Sequence, residues 1–201
     1  MDTPLEVLRE IVVCGEFDHL PCTDAKVIVD LGAHIGLATL HLLAANPDAR
    51  VLAVEADPHL VAQLRENVAG LPVTVANAAV CARPGPHTFY RTDVFSWANS
   101  LHRSMPQQTP IIVRGATFND LFAEASIDRV DLLKMDIEGA EWDVFGDGFP
   151  DSVRAVVGEI HAASDGRVPL DLIGPLSRNM TVQTGRKGDS LLLFQATRRT
   201  S

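Results

Sequence analysis

The chain has 201 residues, of which 46% are hydrophobic and 21% are charged, and its formal net charge is -9. This length and composition predict a single globular domain with a full hydrophobic core. The excess of negative charge argues against nucleic acid or an anionic membrane as the main partner, because both favour basic patches on a protein.

Short apolar runs rich in β-branched residues predict the strands of a central sheet. In chain order these strands are residues 26–31, 50–55, 73–76, 130–135 and 154–160. Residues 87–91 and 111–114 are expected to pair with each other as extra strands. The connection between residues 180–184 and 190–196 is too short for a crossover helix, so this last pair should form an antiparallel hairpin.

Helical spacing and capping signals predict helices between these strands. In chain order they are residues 4–13, 32–45, 57–69, 117–125, 140–145 and 170–178. Residues 92–110 show little periodicity and are expected to form a loop, where Phe95 and Trp97 suit either a substrate lid or simple docking onto the body of the protein. Alternating strands and helices closed by a hairpin predict an α/β fold, a three-layer sandwich with a mostly parallel sheet.

Cysteine content and apolar runs bear on the cellular compartment. Cys14, Cys22 and Cys81 show no metal-ligand spacing, which favours free thiols in a reducing environment. No run of about 18 consecutive apolar residues predicts a transmembrane helix, and the acidic start of the chain does not resemble a signal peptide. We therefore expect a cytoplasmic protein without a membrane partner.

Four predicted parallel strands carry a carboxylate at or near their ends. These residues are Asp30, Glu55, Asp136 and Glu159. Ligands of open α/β sheets bind outside the carboxyl ends of the strands, so the four side chains are expected along one rim. A rim of carboxylates suits a ligand that carries positive charge and many hydroxyl groups.

The segment DLGAHIG at residues 30–36 connects the first predicted strand to a helix. Gly32 permits a sharp turn and the approach of a ligand without a Cβ in the way, and Gly36 lets the helix pack close to the sheet. The segment lacks the central glycine of G-x-G-x-x-G, so a ligand without pyrophosphate fits better; a tight turn without any ligand is the alternative. Glu55 suits hydrogen bonds to a ribose diol, or the N-terminus of the next helix.

Several segments resemble the FkbM family of S-adenosylmethionine (SAM)-dependent methyltransferases. They are VDLGAHIG at 29–36, VEADP at 54–58, NAAV at 77–80, DLLKMDIEGAE at 131–141 and EIH at 159–161. The resemblance extends over residues 27–161 and implies a Rossmann-like class I methyltransferase fold. Residues 26–201 would form the SAM-binding domain, and residues 1–25 an N-terminal helix and loop.

The resemblance also implies a function and a cofactor site. The expected reaction is O-methylation of a hydroxyl on a small metabolite such as a sugar, a polyketide or another secondary metabolite of natural product biosynthesis. The expected SAM-binding residues are Asp30, Gly32, Ala33, His34, Gly36, Glu55, Ala56, Asn77, Ala78, Ser100 and Asp136. The family pattern usually has Asn or a similar residue where His34 stands. Stacking near the methionine end of the cofactor and capping of the helix are alternatives for His34, and we expect it to make a backbone contact without a catalytic role.

Methyl transfer to an alcohol needs a base, because a neutral hydroxyl is a weak nucleophile. Asp136 is the first candidate, Glu159 and His161 are the other catalytic candidates, and Glu138 stands beside them. His161 suits a base near neutral pH if Glu159 orients it, and a structural histidine is the alternative. Lys134 lies inside a predicted buried strand, so it should pair with a carboxylate, for which Glu159 is suitable.

Three other interpretations stay open. Asp136, Glu159 and His161 form a mixed set that suits Mg, Mn or Zn, but their spacing matches no established signature and no metal site is predicted. An NAD-dependent Rossmann enzyme and an inactive methyltransferase-like binding domain are the alternative functions. The chain leaves little sequence for covering a small-molecule substrate, so a homodimer is compatible with it.

Overall fold

The computed structural model describes residues 20–92, 99–102, 105–145, 149–163, 165–186 and 191–199. The strands in this part of the chain are β1 (Val27–Leu31), β2 (Arg50–Glu55), β3 (Val73–Asn77), β4 (Ala79–Val80), β5 (Gly85–Arg91), β6 (Thr109–Ala116), β7 (Val130–Met135), β8 (Val153–His161), β9 (Met180–Arg186) and β10 (Leu191–Arg198). Its helices are α1 (Leu37–Ala45), α2 (Pro58–Asn67), α3 (Phe118–Glu124), α4 (Glu141–Val144) and α5 (Leu170–Leu176). The predicted helix at residues 4–13 and the side chains of Cys14, Phe95 and Trp97 lie outside the described residues.

The main sheet of the described residues has the strand order β3-β2-β1-β7-β8-β10-β9. The first five of these strands run parallel, and β10 is antiparallel to both of its neighbours. This arrangement confirms the predicted mostly parallel sheet with an antiparallel C-terminal hairpin. The direction of winding reverses between β1 and β7, which is where ligands bind in open α/β sheets.

Helices cover both faces of the main sheet, which confirms the three-layer sandwich. On one face, Ile28, Val51 and Leu132 pack against Ala38 and Leu42 of α1. The larger cluster on the other face receives α3, α4 and α5, through residues that include Leu121, Trp142 and Leu176. None of the helices in the described ranges is long and apolar enough to cross a membrane.

A second, three-stranded sheet is inserted between β3 and α3, with the order β4-β6-β5. The antiparallel pairing of β5 with β6 confirms the predicted pairing of residues 87–91 with 111–114. The sequence did not predict β4, because two residues are too few to show an alternating pattern. Thr117 begins α3 as its N-cap and forms a capping box with Asp120, as the spacing of these residues predicts.

The strand register aligns four residues across the carboxyl edge of the main sheet. Leu31 is level with Val54 of β2 and Met135 of β7, and Met135 is level with Gly158 of β8. The next residue along each strand therefore falls in one row, and strand alternation puts the side chains of Glu55 and Glu159, which lie within β2 and β8, on the same face. We call this set the carboxyl-edge row: Gly32, Glu55, Asp136 and Glu159.

Gly158 permits the close contact between β7 and β8. A Cβ at this position would lie 2.0 Å from the backbone oxygen of Met135. We therefore expect Gly158→Ala to lower the free energy of unfolding by about 1–3 kcal/mol, since the two strands must move apart. Gly185→Ala is the matched control, because its Cβ would meet only Leu193 Cβ at an ordinary 3.9 Å. Urea unfolding of both variants measures the difference, and equal losses would contradict this explanation.

Candidate functional site

The turn between β1 and α1 has three residues in the left-handed backbone region. Their φ angles are 73° at Gly32, 51° at His34 and 93° at Gly36. Position 34 therefore needs a residue type that tolerates positive φ, and both Asn and His do so more readily than most. The histidine at position 34 meets this requirement. The N-cap of α1 is Gly36, so His34 does not cap the helix.

The positive φ of Gly32 agrees with the predicted sharp turn, and both glycines are also required for packing. A Cβ at Gly32 would lie 1.8 Å from the backbone oxygen of Asp136, so this space belongs to the end of β7 and not to a ligand. A Cβ at Gly36 would lie 2.7 Å from Leu64 Cδ1. Gly36 therefore permits contact with α2, whereas the sequence predicted contact with the sheet.

Glu55 connects the glycine turn to the start of α2. Its Oε2 accepts a hydrogen bond from the backbone N of His34 at 2.9 Å, and its Oε1 accepts one from the backbone N of Asp57 at 2.8 Å. Burial raises the pKa of Glu55 to about 7, although these two backbone donors partly offset the effect. Each carboxylate oxygen has a second lone pair, so the group can still accept hydrogen bonds from a ligand.

Asn77 lies beside Glu55, on β3. Its side-chain Nδ2 donates to the backbone oxygens of Glu55 and Ala56, both at 2.9 Å. Ala78 donates its backbone N to Glu55 O at 3.0 Å, and Ala33 donates its backbone N to Val54 O at 3.0 Å. The structure therefore brings the predicted cofactor residues on β2, β3 and the glycine turn together at one end of the sheet.

Asp30 does not lie on the rim as predicted. Its side chain is fully buried, its Oδ2 accepts a hydrogen bond from Thr39 Oγ1 at 2.6 Å, and its Oδ1 lies 3.2 Å from Lys134 Nζ. The reason is the register, which puts Asp30 two residues below Gly32 and level with Lys134. The carboxylate of Asp30 is therefore used inside the protein, and its expected place among the cofactor-binding residues is not supported.

Lys134 pairs with Asp30, and the suggested pairing with Glu159 is wrong. Lys134 is level with Val157, so Glu159 lies two residues further along β8. The Lys134 ammonium also donates to Gly32 O at 2.9 Å and to Leu31 O at 3.4 Å. Lys134 thereby ties β7 to the glycine turn, which satisfies a buried charge by both ionic and hydrogen-bonding contacts.

Carboxylates surround His161 at the end of β8. His161 Nδ1 lies 3.1 Å from Glu141 Oε1, and Nε2 lies 3.4 Å from Glu138 Oε2 and 3.6 Å from Glu159 Oε2. We call this set, together with Asp136, the His161 cluster. Burial lowers the pKa of His161, but the hydrogen bond to Glu141 and the charges of Glu141, Glu138 and Asp136 outweigh it and raise the pKa to about 10.

This pKa changes the role predicted for His161. A group with a pKa of about 10 is protonated at neutral pH, so His161 is an imidazolium here and does not act as the base. The carboxylate that orients its Nδ1 is Glu141, which is fully buried, and not Glu159. Glu141 was not predicted as a site residue, because nothing in its motif shows that the side chain turns from α4 toward His161 of β8.

Glu138 is the carboxyl group of this cluster whose proton affinity is most clearly raised. Burial and the negative charge of Asp136 raise the pKa of Glu138 well above its usual value, and the charge of His161 partly offsets the effect. Among the described residues, Asp136 Oδ1 and Glu141 Oε2 are buried without a hydrogen-bond partner. The cluster therefore has acceptor capacity that the described part of the protein does not use.

Three side chains of the His161 cluster are close enough together to hold a metal cation. One ligand atom from each of Asp136, Glu159 and His161 lies within 4.8 Å of the others. A cation there would have to replace the imidazolium proton, since a metal ligand must be the neutral form of histidine.

Ser100 lies close to this cluster but uses its hydroxyl within the protein. Ser100 is 2% exposed, and its Oγ donates to the backbone oxygen of Glu138 at 2.5 Å. It also accepts a hydrogen bond from the backbone N of His102 at 3.1 Å. The structure therefore places Ser100 against the loop that follows β7.

Comparisons with known proteins agree with this fold. The Methyltransferase FkbM domain matches residues 30–180. The chain is 29% identical over 158 residues to Methyltransferase 1 of Beauveria bassiana, which covers 68% of this chain and 64% of the relative. It is also 29% identical over 138 residues to 2-O-methyltransferase NoeI of Sinorhizobium fredii, which covers 61% of this chain and 57% of the relative. The chain thus spans less than two thirds of the length of these relatives.

Solved structures show the same fold at low sequence identity. Precorrin-6y C5,15-methyltransferase from Geobacter metallireducens superposes with a TM-score of 0.54 at 12% identity, over 94% of this chain and 88% of the other. A dimethyladenosine transferase from Plasmodium falciparum gives a TM-score of 0.50 at 8% identity, over 94% of this chain and 60% of the other. These likenesses concern the fold alone. Because the FkbM domain matches three quarters of the chain, from residue 30 to residue 180, the protein belongs to the FkbM family of methyltransferases.

Proposed function

We propose that this protein is a SAM-dependent O-methyltransferase that acts on a hydroxyl group of a small metabolite. The observation that carries the proposal is the carboxyl-edge row, which aligns Glu55, Asp136 and Glu159 along one edge of the sheet beside the glycine turn. Membership of the FkbM family and the likeness to a 2-O-methyltransferase support it. A cytoplasmic location and a small-molecule acceptor belong to the same proposal.

The residues at the β1 and β2 ends suit SAM. Glu55 would accept hydrogen bonds from the ribose hydroxyls, because two backbone donors hold its carboxylate and leave lone pairs unused. Ala56, Asn77 and Ala78 would lie beside the adenine. Bound SAM supplies an electrophilic methyl group on a cationic sulfonium, and the net negative charge of the nearby His161 cluster favours a cation at this edge.

The residues of the His161 cluster are suited to deprotonating the hydroxyl that receives the methyl group. The base candidates are Asp136, Glu138 and Glu159, and we favour Glu138. Burial and the charge of Asp136 raise the pKa of Glu138, which makes its carboxylate a stronger base, whereas the pKa of His161 keeps that residue protonated. His161 would hold the surrounding carboxylates in place. Its Nε2 would donate a hydrogen bond on the side of the cluster where the methyl-accepting hydroxyl binds.

The cofactor assignment predicts a specific loss of affinity. Glu55→Ala is expected to weaken binding of S-adenosylhomocysteine by about 1–3 kcal/mol, the usual effect of removing a charged hydrogen-bond acceptor. Isothermal titration calorimetry measures this directly. Glu66→Ala is the control, because Glu66 is an exposed residue of α2 away from the row. Unchanged affinity in Glu55→Ala would contradict the ribose contact.

Two further measurements test the function itself. Titration of the wild-type protein with NAD should give no binding where S-adenosylhomocysteine binds, and the opposite result would favour a Rossmann dehydrogenase. Incubation with SAM and a panel of hydroxylated sugars and polyketides should yield a methyl ether and S-adenosylhomocysteine. Cofactor binding without turnover on any acceptor would instead favour an inactive binding domain.

A further inference from the structure

The loop that follows β7 holds Glu138 in an unusual backbone conformation. The φ angle of Glu138 is 53°, in the left-handed region that residues with a side chain rarely adopt, and Gly139 follows with a φ of 95°. Such a conformation persists only where the surrounding structure holds it, and it is common at functional sites. A contact at the carbonyl oxygen of Glu138 holds this peptide.

The contact is the hydroxyl of Ser100. Its Oγ donates to Glu138 O at 2.5 Å, the carbonyl of the left-handed residue itself. Ser100 is held in turn by backbone pairing with Tyr90, where Tyr90 N donates to Ser100 O at 2.7 Å and Ser100 N donates to Tyr90 O at 3.0 Å. The isolated β-bridge to Tyr90 of β5 thus holds Ser100 beside the inserted sheet, with its hydroxyl directed at Glu138.

The residues next to Ser100 are anchored to the start of α2. Asn99 Nδ2 donates to Asp57 Oδ2 at 3.1 Å, and Arg91 Nε donates to the same oxygen at 3.2 Å. Asn99 Oδ1 also accepts a hydrogen bond from the backbone N of Thr92 at 2.7 Å. Asp57 is the N-cap of α2. Its side chain is only 2% exposed, so its burial leaves it little room to move. Ser100 therefore stands on a rigid support.

We propose that Ser100 is a positioning residue, whose hydroxyl holds the left-handed peptide of Glu138 and thereby keeps the Glu138 carboxylate 3.4 Å from His161 Nε2. The proposal rests on the proposed function for the meaning of this placement, since that function makes Glu138 the favoured base. The inserted sheet thereby has a role in catalysis. Through Ser100 it positions Glu138, which would contact the methyl-accepting substrate, and it is itself anchored at Asp57, next to the proposed cofactor residues.

The proposal is tested by the pKa of His161, measured by NMR titration of the histidine side chains in the protein without ligand. The charged groups that face His161 are Glu141 of α4, Asp136 and Glu138 of the loop after β7, and Glu159 of β8. Loss of the Glu138 contact should lower the pKa of His161. We expect a fall of about one unit in both Glu138→Gln and Ser100→Ala. Ser100→Thr, which keeps the hydroxyl, should stay near the wild-type value.

Two controls separate positioning from a general structural effect. Ser177→Ala removes another hydroxyl that donates to a backbone carbonyl, that of Ile173 at 2.7 Å, and it should leave the pKa of His161 unchanged. The double variant Ser100→Ala with Glu138→Gln should show the shift of Glu138→Gln alone, because both changes act on one contact. Additive shifts, or no shift in a folded Ser100→Ala variant, would overturn the proposal. If Ser100→Ala does not fold, Ser100→Cys is measured in its place against the same expectations.

Calorimetry with S-adenosylhomocysteine keeps this proposal distinct from the proposed function. Ser100→Ala should bind it within about twofold of wild type, because its hydroxyl contacts Glu138 and not the Glu55 side of the site. A large loss of affinity without a shift of His161 would make Ser100 a cofactor contact and overturn positioning. Failure of the wild-type protein to bind would instead defeat the proposed function, while the titration of His161 would still decide whether Ser100 positions Glu138.

Discussion

Lys134→Met is expected to lower the free energy of unfolding by about 3–5 kcal/mol, as removal of one partner from a buried ion pair usually does. The substitution leaves Asp30 fully buried without its cationic partner, and its carboxylate then keeps the hydrogen bond from Thr39. It also removes the donor to Gly32 O, which lies in the glycine turn. Chemical unfolding at neutral pH, followed by circular dichroism, measures the loss.

Lys26→Met is the matched control for this prediction. Lys26 pairs with Asp48 at 2.8 Å, but the two side chains are 63% and 81% exposed. An exposed pair contributes about 0–1 kcal/mol, so the control should unfold nearly as wild type does. The double variant Asp30→Leu with Lys134→Met should recover part of the loss, since it leaves no buried charge unpaired. Similar losses in Lys26→Met and Lys134→Met would show that burial does not set the strength of the Lys134 pair.

The parallel strands of the main sheet are predictable from the chain because apolar residues predominate in the buried strands, as in β2 and β7. A polar residue does not by itself mark the end of such a strand, since Lys134 lies inside β7. The hairpin of β9 and β10 follows from the short connection between its strands. The apolar strands and the hairpin depend on residues that are neighbours along the chain, so the sequence alone is enough to predict them.

The depth of each residue in the sheet is not predictable in the same way. Asp30 and Glu55 both follow apolar residues, yet the register of β1 and β2 puts Asp30 level with Ala53 and leaves it below the rim. Register depends on packing between strands far apart in sequence, which a local pattern does not record. Lys134 was identified correctly as a buried charge in need of a partner, but the choice between Asp30 and Glu159 required that register.

The chemistry of the His161 cluster depends on the same long-range geometry. The sequence indicated that Asp136, Glu159 and His161 belong together, and the structure brings their ligand atoms within 4.8 Å of one another. The additional carboxylates of Glu138 and Glu141 come from a turn with left-handed residues and from a helix of four residues. Because their side-chain directions follow from those conformations, the protonated state of His161 could not be foreseen from the spacing of the motif.

The stability of the protein is expected to depend on His161 between about pH 6.5 and pH 10. The pKa of His161 in the folded protein is about 10, against 6.5 for an unperturbed histidine. A raised pKa means that the folded state holds the proton more tightly, so the stabilisation is complete below pH 6.5 and is lost as the pH rises toward 10. Between pH 6.5 and pH 9.5 the wild-type protein should lose about 3 kcal/mol more than His161→Asn does.

Urea unfolding at several pH values measures this difference, and the comparison of two variants isolates it. His161→Asn should be less stable than wild type at pH 6.5, because the carboxylates around position 161 lose their cation, and the two curves should converge near pH 10. His59→Asn changes an exposed histidine of α2 and should follow the wild-type curve. The pKa of Glu55 is about 7 in the folded protein, against 4.5 for an unperturbed glutamate, so its contribution to stability is lost between about pH 4.5 and pH 7, mainly below the range of His161. Parallel curves for wild type and His161→Asn from pH 6.5 to pH 10 would mean that His161 is neutral in the folded protein, and Glu138 would then lose the cation that holds it in place.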